Sequence, residues 1–564
     1  MNSSTSSQPS EDVQNRQQQS PLASQRPEAK PPAPLSRLFP LGYKEGFSQW
    51  WASIPAAAAE HKVLSFIPHL QQPPTQTQTG NAPASPDEKS DPLTAADHTR
   101  PGQVSENSVD DPHGPRRWRS TMVELSGKNR ELNEFSVERL GEKTENNLVI
   151  LHGYGAGLGF FYKNFEALSR AKGWHLYALD LLGMGRSTRP PFKIAVKKRE
   201  EAIAEAENWF IDALEEWRVK RKIERFTLLG HSLGGYLAVA YALKYPGHLN
   251  KLILASPVGI PEDPYAVNAD VPDPSASTMT NEFTQDQAGG VQVTDNNNFL
   301  NARDKAAAAN AKNNNNGNGN GASKTPPRTL PKWLVYLWDS NVSPFSLVRW
   351  SGPLGPRLVS GWTSRRFSHL PQDEARALHE YAYSLFRLRG SGEYALSYIL
   401  APGAYARSPM IRRIHGVGRQ VLPSQVNIAS SESGSQRGPA LLPREPSQAP
   451  SVTSPSDSST SFVSVQPPPR REAGIPIVFM YGEHDWMDVK GGYAAQEKIE
   501  QEKRRILTDA SIEEQKADRG SAKVVIIKKA GHHVYLDGWE EFNEVLLEEM
   551  RDVSENHSSP SFSA

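Results

Sequence analysis

The chain has no cysteine among its 564 residues. Disulfides, thiolate zinc sites and cysteine nucleophiles are thereby excluded, and a reducing or cysteine-indifferent compartment fits. It also lacks net charge, since 63 Lys+Arg balance 63 Asp+Glu. That excludes a nucleic-acid protein whose affinity comes from a global basic excess, so no nucleic-acid partner is expected. No apolar run approaches the ~18 residues that span a bilayer, so any contact with membrane is expected to be peripheral.

Core-forming residues are scarce in four stretches: 1–35, 71–115, 262–328 (with the tract NAKNNNNGNGNGASK) and 419–471. Such compositions bury too little apolar surface to offset ordering entropy, and they read as disordered. The expected organisation follows. Residues 1–112 form a mostly disordered region with one short aromatic segment at 42–70. Residues 113–260 are the first part of a core, 261–472 an insertion, 473–556 the second part of the core and 557–564 a tail.

The two core parts alternate strand and helix patterns. Strands are expected at 134–138, 147–151 (NLVIL), 175–183, 225–230, 249–259, 475–482 and 522–531. Helices are expected at 160–172, 200–217, 233–246, 492–505 and 539–552. This alternation predicts an α/β fold with a mostly parallel sheet covered on both faces. The apolar and aromatic stretches 332–338, 343–367 and 377–400 predict a helical cap over one edge of that sheet.

The central motif is Gly230-His231-Ser232-Leu233-Gly234, directly after a strand and directly before a helix. Glycines at such a junction permit a tight, strained turn that lifts a serine hydroxyl above the sheet. A serine nucleophile needs a base, and the base needs an acid to orient it. In this arrangement the chain order is serine, acid, histidine. Gly482-Glu483-His484-Asp485-Trp486-Met487-Asp488 follows the next-to-last strand, and Gly531-His532-His533 follows the last. Ser232 is thus the expected nucleophile, His532 the base and Asp485 the acid, with Asp488 the alternative. His533 is expected to be a packing or hydrogen-bonding neighbour. The backbone N–H groups of Leu233 and of Tyr154, in LHGYGAG, are the expected oxyanion donors. Asp537, in GHHVYLD, reads as a helix N-cap with Glu540 three residues later. This chemistry needs no metal and no organic cofactor.

The segments HGYGAG, GHSLGG, GEHDWMD and GHHVYLD together resemble the α/β-hydrolase family. The cap sequence SPFSLVRWSGPLGPRLVSGW, with SGEYAL after it, resembles that family's lipid-acting branch of mitochondrial cardiolipin-type deacylases and lipase coactivators. The resemblance covers about 113–260, 330–405 and 473–552. It implies an α/β-hydrolase fold with an inserted helical cap. In that branch a His-x4-Asp pattern, here His532 and Asp537, accompanies acyl transfer to lysophospholipid. Coactivators of the branch lack the serine that stands here as Ser232, and their acid falls at the later position, which keeps Asp488 open. The activity implied is removal of a fatty acyl chain from a membrane glycerophospholipid of cardiolipin type. The alternatives are a lysophospholipid acyltransferase using acyl-CoA, and a non-catalytic lipid-surface regulator of a lipase.

Phe47, Trp50, Trp51 and Ile54 form an aromatic cluster suited to a bilayer interface, with Pro55 as a helix breaker. The competing expectation is a satellite helix packed on the core. Arg365 and Arg366, beside Trp362 and Phe367, read as a headgroup contact or a solvated basic surface. A mitochondrial presequence should be rich in arginine and poor in acid, and Glu11, Asp12 and Glu28 match that poorly. A mitochondrial, peripheral-membrane location therefore comes from the resemblance; a lipid droplet or a cytoplasmic membrane surface is the alternative.

Overall fold

The computed structural model describes residues 40–70, 111–262, 338, 340–401, 405–422 and 471–558. The stretches read as disordered lie almost wholly outside these residues.

Eight strands form one sheet in the order β1-β2-β4-β3-β5-β6-β7-β8. They are β1 (Arg116–Glu124), β2 (Glu131–Arg139), β3 (Asn146–Leu151), β4 (Trp174–Leu179), β5 (Phe226–His231), β6 (Leu249–Ala255), β7 (Pro476–Gly482) and β8 (Ser521–Ile527). β1 pairs antiparallel with β2, and β2 with β4; every other pairing is parallel. β3, β5 and β6 are near-continuous apolar runs because helices cover both faces of the sheet. β1 is not among the strands expected from the sequence. Its Arg116 is fully buried and meets Asp111 at 2.6 Å and Glu166 at 3.1 Å, so a residue that reads as surface sits in the core.

β6 and β7 are neighbours in register, Leu252 beside Ile477, although the whole insertion lies between them in sequence. Three helices of that insertion lie over the sheet: α6 (Pro344–Trp350), α7 (Gly355–Arg366) and α8 (Gln372–Phe386). Earlier in the chain come α1 (Tyr43–Ala52), α2 (Ala56–Leu64), α3 (Tyr162–Leu168), α4 (Arg199–Lys220) and α5 (Leu233–Lys244); later come α9 (Val489–Thr508) and α10 (Trp539–Ser558).

The N-terminal segment forms two helices, the second of which packs on the core. Ser53, at positive φ, ends α1, and Pro55 caps α2. α2 packs against α8, and Val63, Leu64, Ile67 and Leu70 enter the core. α1 instead lies on α7 and the turn before it, leaving Phe47 and Trp51 exposed. Among the described residues no helix is long and apolar enough to cross a membrane.

A buried polar network ties α2 to the body. Glu60 is fully buried and pairs with Arg186 at 2.5 Å. It also accepts from Tyr381 Oη of α8 at 3.0 Å and from Asn133 Nδ2 of β2 at 3.2 Å. Asp180, at the end of β4, shares Asn133 and accepts the Arg186 and Leu158 N–H groups, both at 2.7 Å.

Candidate active site

β5 ends at His231 and α5 begins at Leu233, leaving Ser232 alone at the junction with φ 52° and ψ −115°. A non-glycine residue in this region is strained and persists only where its surroundings fix it. Here they do: the Ser232 N–H donates to Ala255 O of β6 at 2.9 Å, and Ser232 O accepts from Gly235 and Tyr236. Gly230 and Gly234 make the close turn possible. A Cβ on Gly230 would sit 2.3 Å from Gly234 O, and one on Gly234 2.7 Å from Leu151 O.

The loop after β3 crosses directly over the serine. A Cβ on Gly153 would lie 3.0 Å from Ser232 Cβ, so only glycine fits there. His152 anchors the start of this loop: its Nε2 accepts the Leu181 N–H at 3.0 Å and its Nδ1 donates to Gly153 O at 2.7 Å. Burial pulls the His152 pKa down to about 4, so the ring is neutral and this tautomer is fixed. Asp180 holds the far end of the loop through the Leu158 N–H. Tyr154 and Leu233 therefore flank Ser232 from two directions, one from the loop and one from the first residue of α5.

Asp485 and His532 come together from the ends of β7 and β8. His532 Nδ1 lies 3.1 Å from Asp485 Oδ1, and both residues are buried. Burial pushes the Asp485 carboxyl up, but the facing imidazole and its hydrogen bond hold it below the usual carboxylate value. Asp485 is further fixed by the Met487 N–H at 3.0 Å, and the Trp486 ring lies 4.8 Å from the His532 ring. Asp488 serves a different element, as the N-cap of α9, where it accepts the Lys490 N–H at 3.1 Å. That cap starts the helix three residues before the sequence pattern placed it.

His231 and His533 complete the cluster. The His231 Nε2–H donates to His532 O at 3.0 Å, binding the serine turn to the histidine loop across 301 positions. Burial pushes His231 and His533 well below the ordinary histidine value, which keeps both neutral. His533 also lines an apolar cleft with Tyr154, Phe160, Phe345, Trp362 and Phe386. Three of those rings come from α6, α7 and α8, and Phe345 stacks on Phe386 at 4.4 Å. Trp362 and Phe367 are thus interior residues.

Asp537 does not cap α10, which starts after Gly538. Its carboxylate accepts the Gly531 N–H at 3.1 Å and pairs with Arg366 of α7 at 3.1 Å. Asp537 thereby fastens α7 to the histidine loop. Arg366 is accordingly bound to protein.

Sequence comparison places these elements in context. A family model described as the alpha/beta hydrolase fold matches residues 146–353. A 1-acylglycerol-3-phosphate O-acyltransferase of Arabidopsis thaliana is 28% identical over 450 residues, covering 78% of this chain and 74% of that protein. The 1-acylglycerol-3-phosphate O-acyltransferase ABHD5 of Mus musculus is 30% identical over 308 residues, 54% of this chain and 68% of that protein. A (lyso)-N-acylphosphatidylethanolamine lipase of Bos taurus is 31% identical over 277 residues, 49% of this chain and 62% of that protein. The chain belongs to the α/β-hydrolase family and has that family's fold.

Proposed function

We propose that this protein is a serine acyl-transfer enzyme of membrane lipids that moves a fatty acyl chain onto a lysophospholipid. The observation that carries this reading is strained Ser232 with the His532–Asp485 pair tied to its turn through His231, and an aromatic cleft that Tyr154 and His533 line beside them. Ser232 Oγ attacks the acyl carbonyl of an acyl-CoA thioester while His532 takes its proton. The Leu233 and Tyr154 N–H groups receive the developing oxyanion. Asp485 holds the imidazole by its Nδ1–H and stabilises the imidazolium. Collapse expels the CoA thiol, protonated by His532, and leaves an acyl-serine ester. The free hydroxyl of the lysophospholipid then gives its proton to His532, attacks that ester and departs as diacyl phospholipid, while Ser232 recovers its proton.

Two things favour a lipid hydroxyl over water as acceptor. Ser232 and His532 are only 4% and 6% exposed, so little bulk water reaches them. The Arabidopsis and mouse relatives are both named as acyltransferases of 1-acylglycerol-3-phosphate. With water as acceptor the same acyl-enzyme becomes a phospholipid deacylase, including the cardiolipin type. The bovine lipase supports that second reading. The intact Ser232 weighs against a purely regulatory protein.

Contact with the bilayer is assigned to α1 and the start of the cap. Trp51 and Trp350 are 74% and 73% exposed, with Phe47 and Leu347 beside them in sequence, and α1 lies against the cap. Indole rings favour the membrane–water boundary. A mitochondrial membrane, a lipid droplet and a cytoplasmic membrane surface share this chemistry, and imaging of a tagged chain separates them.

The test is lipid mass spectrometry on wild type and Ser232→Ala with phospholipid vesicles containing cardiolipin, with and without acyl-CoA plus 1-acylglycerol-3-phosphate. New diacyl phospholipid made only by wild type supports transfer. Free fatty acid and lysolipid made only by wild type select the deacylase. Identical products from both proteins sink the catalytic reading.

A further inference from the structure

A second cleft adjoins the first, sharing Tyr154, Gly155, Phe345 and Phe386 and continuing past Arg189 and Glu393. Arg189 sits in the loop after β4, at the carboxyl edge of the parallel strands where such sheets bind ligands. Its guanidinium carries five N–H groups. Nη1 donates to Gly183 O at 2.9 Å and Arg389 O at 3.0 Å, and Nη2 donates to Gly185 O at 2.9 Å. The Nε–H is buried and meets no acceptor, which leaves it and one Nη2–H. Nε and Nη2 lie on one side of the planar group, a side that can grip two oxygens of an oxyanion at once.

Arg189 also carries a charge that no carboxylate meets in contact, although Glu393 and Asp180 attract it from farther off. Among the described residues it makes no ion pair, while Glu393 is taken by Arg349 at 2.7 Å. Burial lowers the Arg189 pKa to about 10, so it remains a cation at neutral pH. A structural staple alone would be served by the three carbonyls. It would not require a buried Nε–H without an acceptor beside the cleft that Arg189 lines, where each unmet donor is costly.

We propose that Arg189 is a binding residue for the phosphate monoester of a lysophospholipid acceptor. The Nε/Nη2 edge grips the phosphate while the glycerol hydroxyl reaches acyl-Ser232 past the loop at Tyr154. The three carbonyl bonds hold the fork in place before the lipid arrives, so little ordering entropy is lost on binding. This assignment rests on the acyl-transfer reading and names its substrate class: an acceptor carrying a terminal phosphate rather than a neutral glyceride.

The test is a specificity ratio measured on the full chain. The kcat/KM for 1-acylglycerol-3-phosphate is divided by that for 1-monoacylglycerol of the same chain length, with one acyl-CoA as donor. Because it is a ratio, partial loss of folded enzyme cancels. Losing a charged hydrogen-bond pair costs about 1.5–3 kcal/mol, so Arg189→Gln is expected to lower the ratio ten- to a hundredfold, through KM for the phosphate lipid. Arg189→Lys, which keeps the charge without the fork, is expected to fall between. An unchanged ratio in Arg189→Gln overturns the proposal and leaves Arg189 a staple of the 183–185 turn. A raised KM for acyl-CoA, with an unchanged KM when phosphate-free S-acyl-pantetheine is the donor, would move the phosphate to the donor and also overturn it. If wild type transfers to neither acceptor, the same variants are read on hydrolysis of phosphatidic acid against diacylglycerol. A headgroup-dependent ratio there keeps Arg189 as the phosphate site and discards transfer; an unchanged one discards both.

Discussion

Replacing Glu60 by alanine should be among the most damaging single changes outside the serine, histidine and aspartate cluster. Its carboxylate is fully buried and satisfies three groups from three other elements: Arg186, Tyr381 and Asn133. Alanine would strand the Arg186 guanidinium, whose side chain is 8% exposed. Breaking a buried pair from one side costs about 3–5 kcal/mol, largely because the remaining charge is left uncompensated. With a urea slope of about 3 kcal/mol per M, the midpoint should fall by roughly 1 M or somewhat more. Glu60→Gln keeps the shape and one acceptor and should lose less. Activity should follow, because Arg186 and Asp180 share a contact and Asp180 holds the Leu158 N–H at the end of the Ser232 loop. The assay is urea unfolding by fluorescence, paired with fluorophosphonate labelling of Ser232 in the native range. A Glu60→Ala protein with the wild-type midpoint and labelling rate would refute the argument. Arg186 would then be solvated in the native state, and α2 would be an appendage.

Three further outcomes are expected. Asp485→Asn should lower kcat by about 10⁴ by favouring the wrong imidazole tautomer. Asp488→Asn should cost less than about 1 kcal/mol of stability, because asparagine caps a helix nearly as well; equal kinetic losses in the two variants would contradict their different contacts. Acid should destabilise the fold at mild pH. Burial holds His152 and His379 near pKa 4 against 6.5 unfolded, so their contribution is complete above about pH 6.5 and is lost as pH falls towards 4. At pH 5 each has lost about 2 kcal/mol, and a urea midpoint that stays flat from pH 7 to 5 would contradict this. Finally, Trp51→Ala with Trp350→Ala should weaken vesicle flotation by roughly a hundredfold, at about 1.5 kcal/mol per ring, while turnover of a water-soluble ester persists. Unchanged flotation would remove this surface as the membrane contact.

The parallel strands β3 to β8 were legible because each is a short apolar run bounded by turn residues. Ser232, Asp485 and His532 were legible because each stands at the end of such a run, where side-chain type and chain order carry the information. What was hidden depends on pairing across the chain. Arg116 reads as surface until Asp111 and Glu166 are placed beside it, so β1 went unassigned within the expected core segment 113–260. Glu60 in AAAAEHKVL reads as the polar face of a helix, because Arg186 lies far along the chain. Asp537 matched a capping pattern, yet its carboxylate pairs with a cation from the cap. His152 stands just before the glycine that crosses the serine, and it meets backbone on both ring nitrogens with the Asp180 carboxylate 3.5 Å from Nε2. His231 was expected only as part of the serine turn, and it also grips the backbone of the base.

The pairing of β6 with β7 also orders events in time. Ser232 and the strands on either side of it are complete by Ala255, whereas Asp485 and His532 arrive only after the insertion has been synthesised. A ribosome-bound chain can therefore build the strained serine turn long before the groups that activate it exist. The closing step, docking β7 onto β6, joins segments far apart in sequence, and such closures are slow. Its entropic penalty grows only logarithmically, by about 0.6 kcal/mol for each doubling of the intervening length. A long insertion therefore adds little to the equilibrium cost of the fold while delaying the moment at which the serine becomes reactive, and a nascent or truncated chain stays chemically silent.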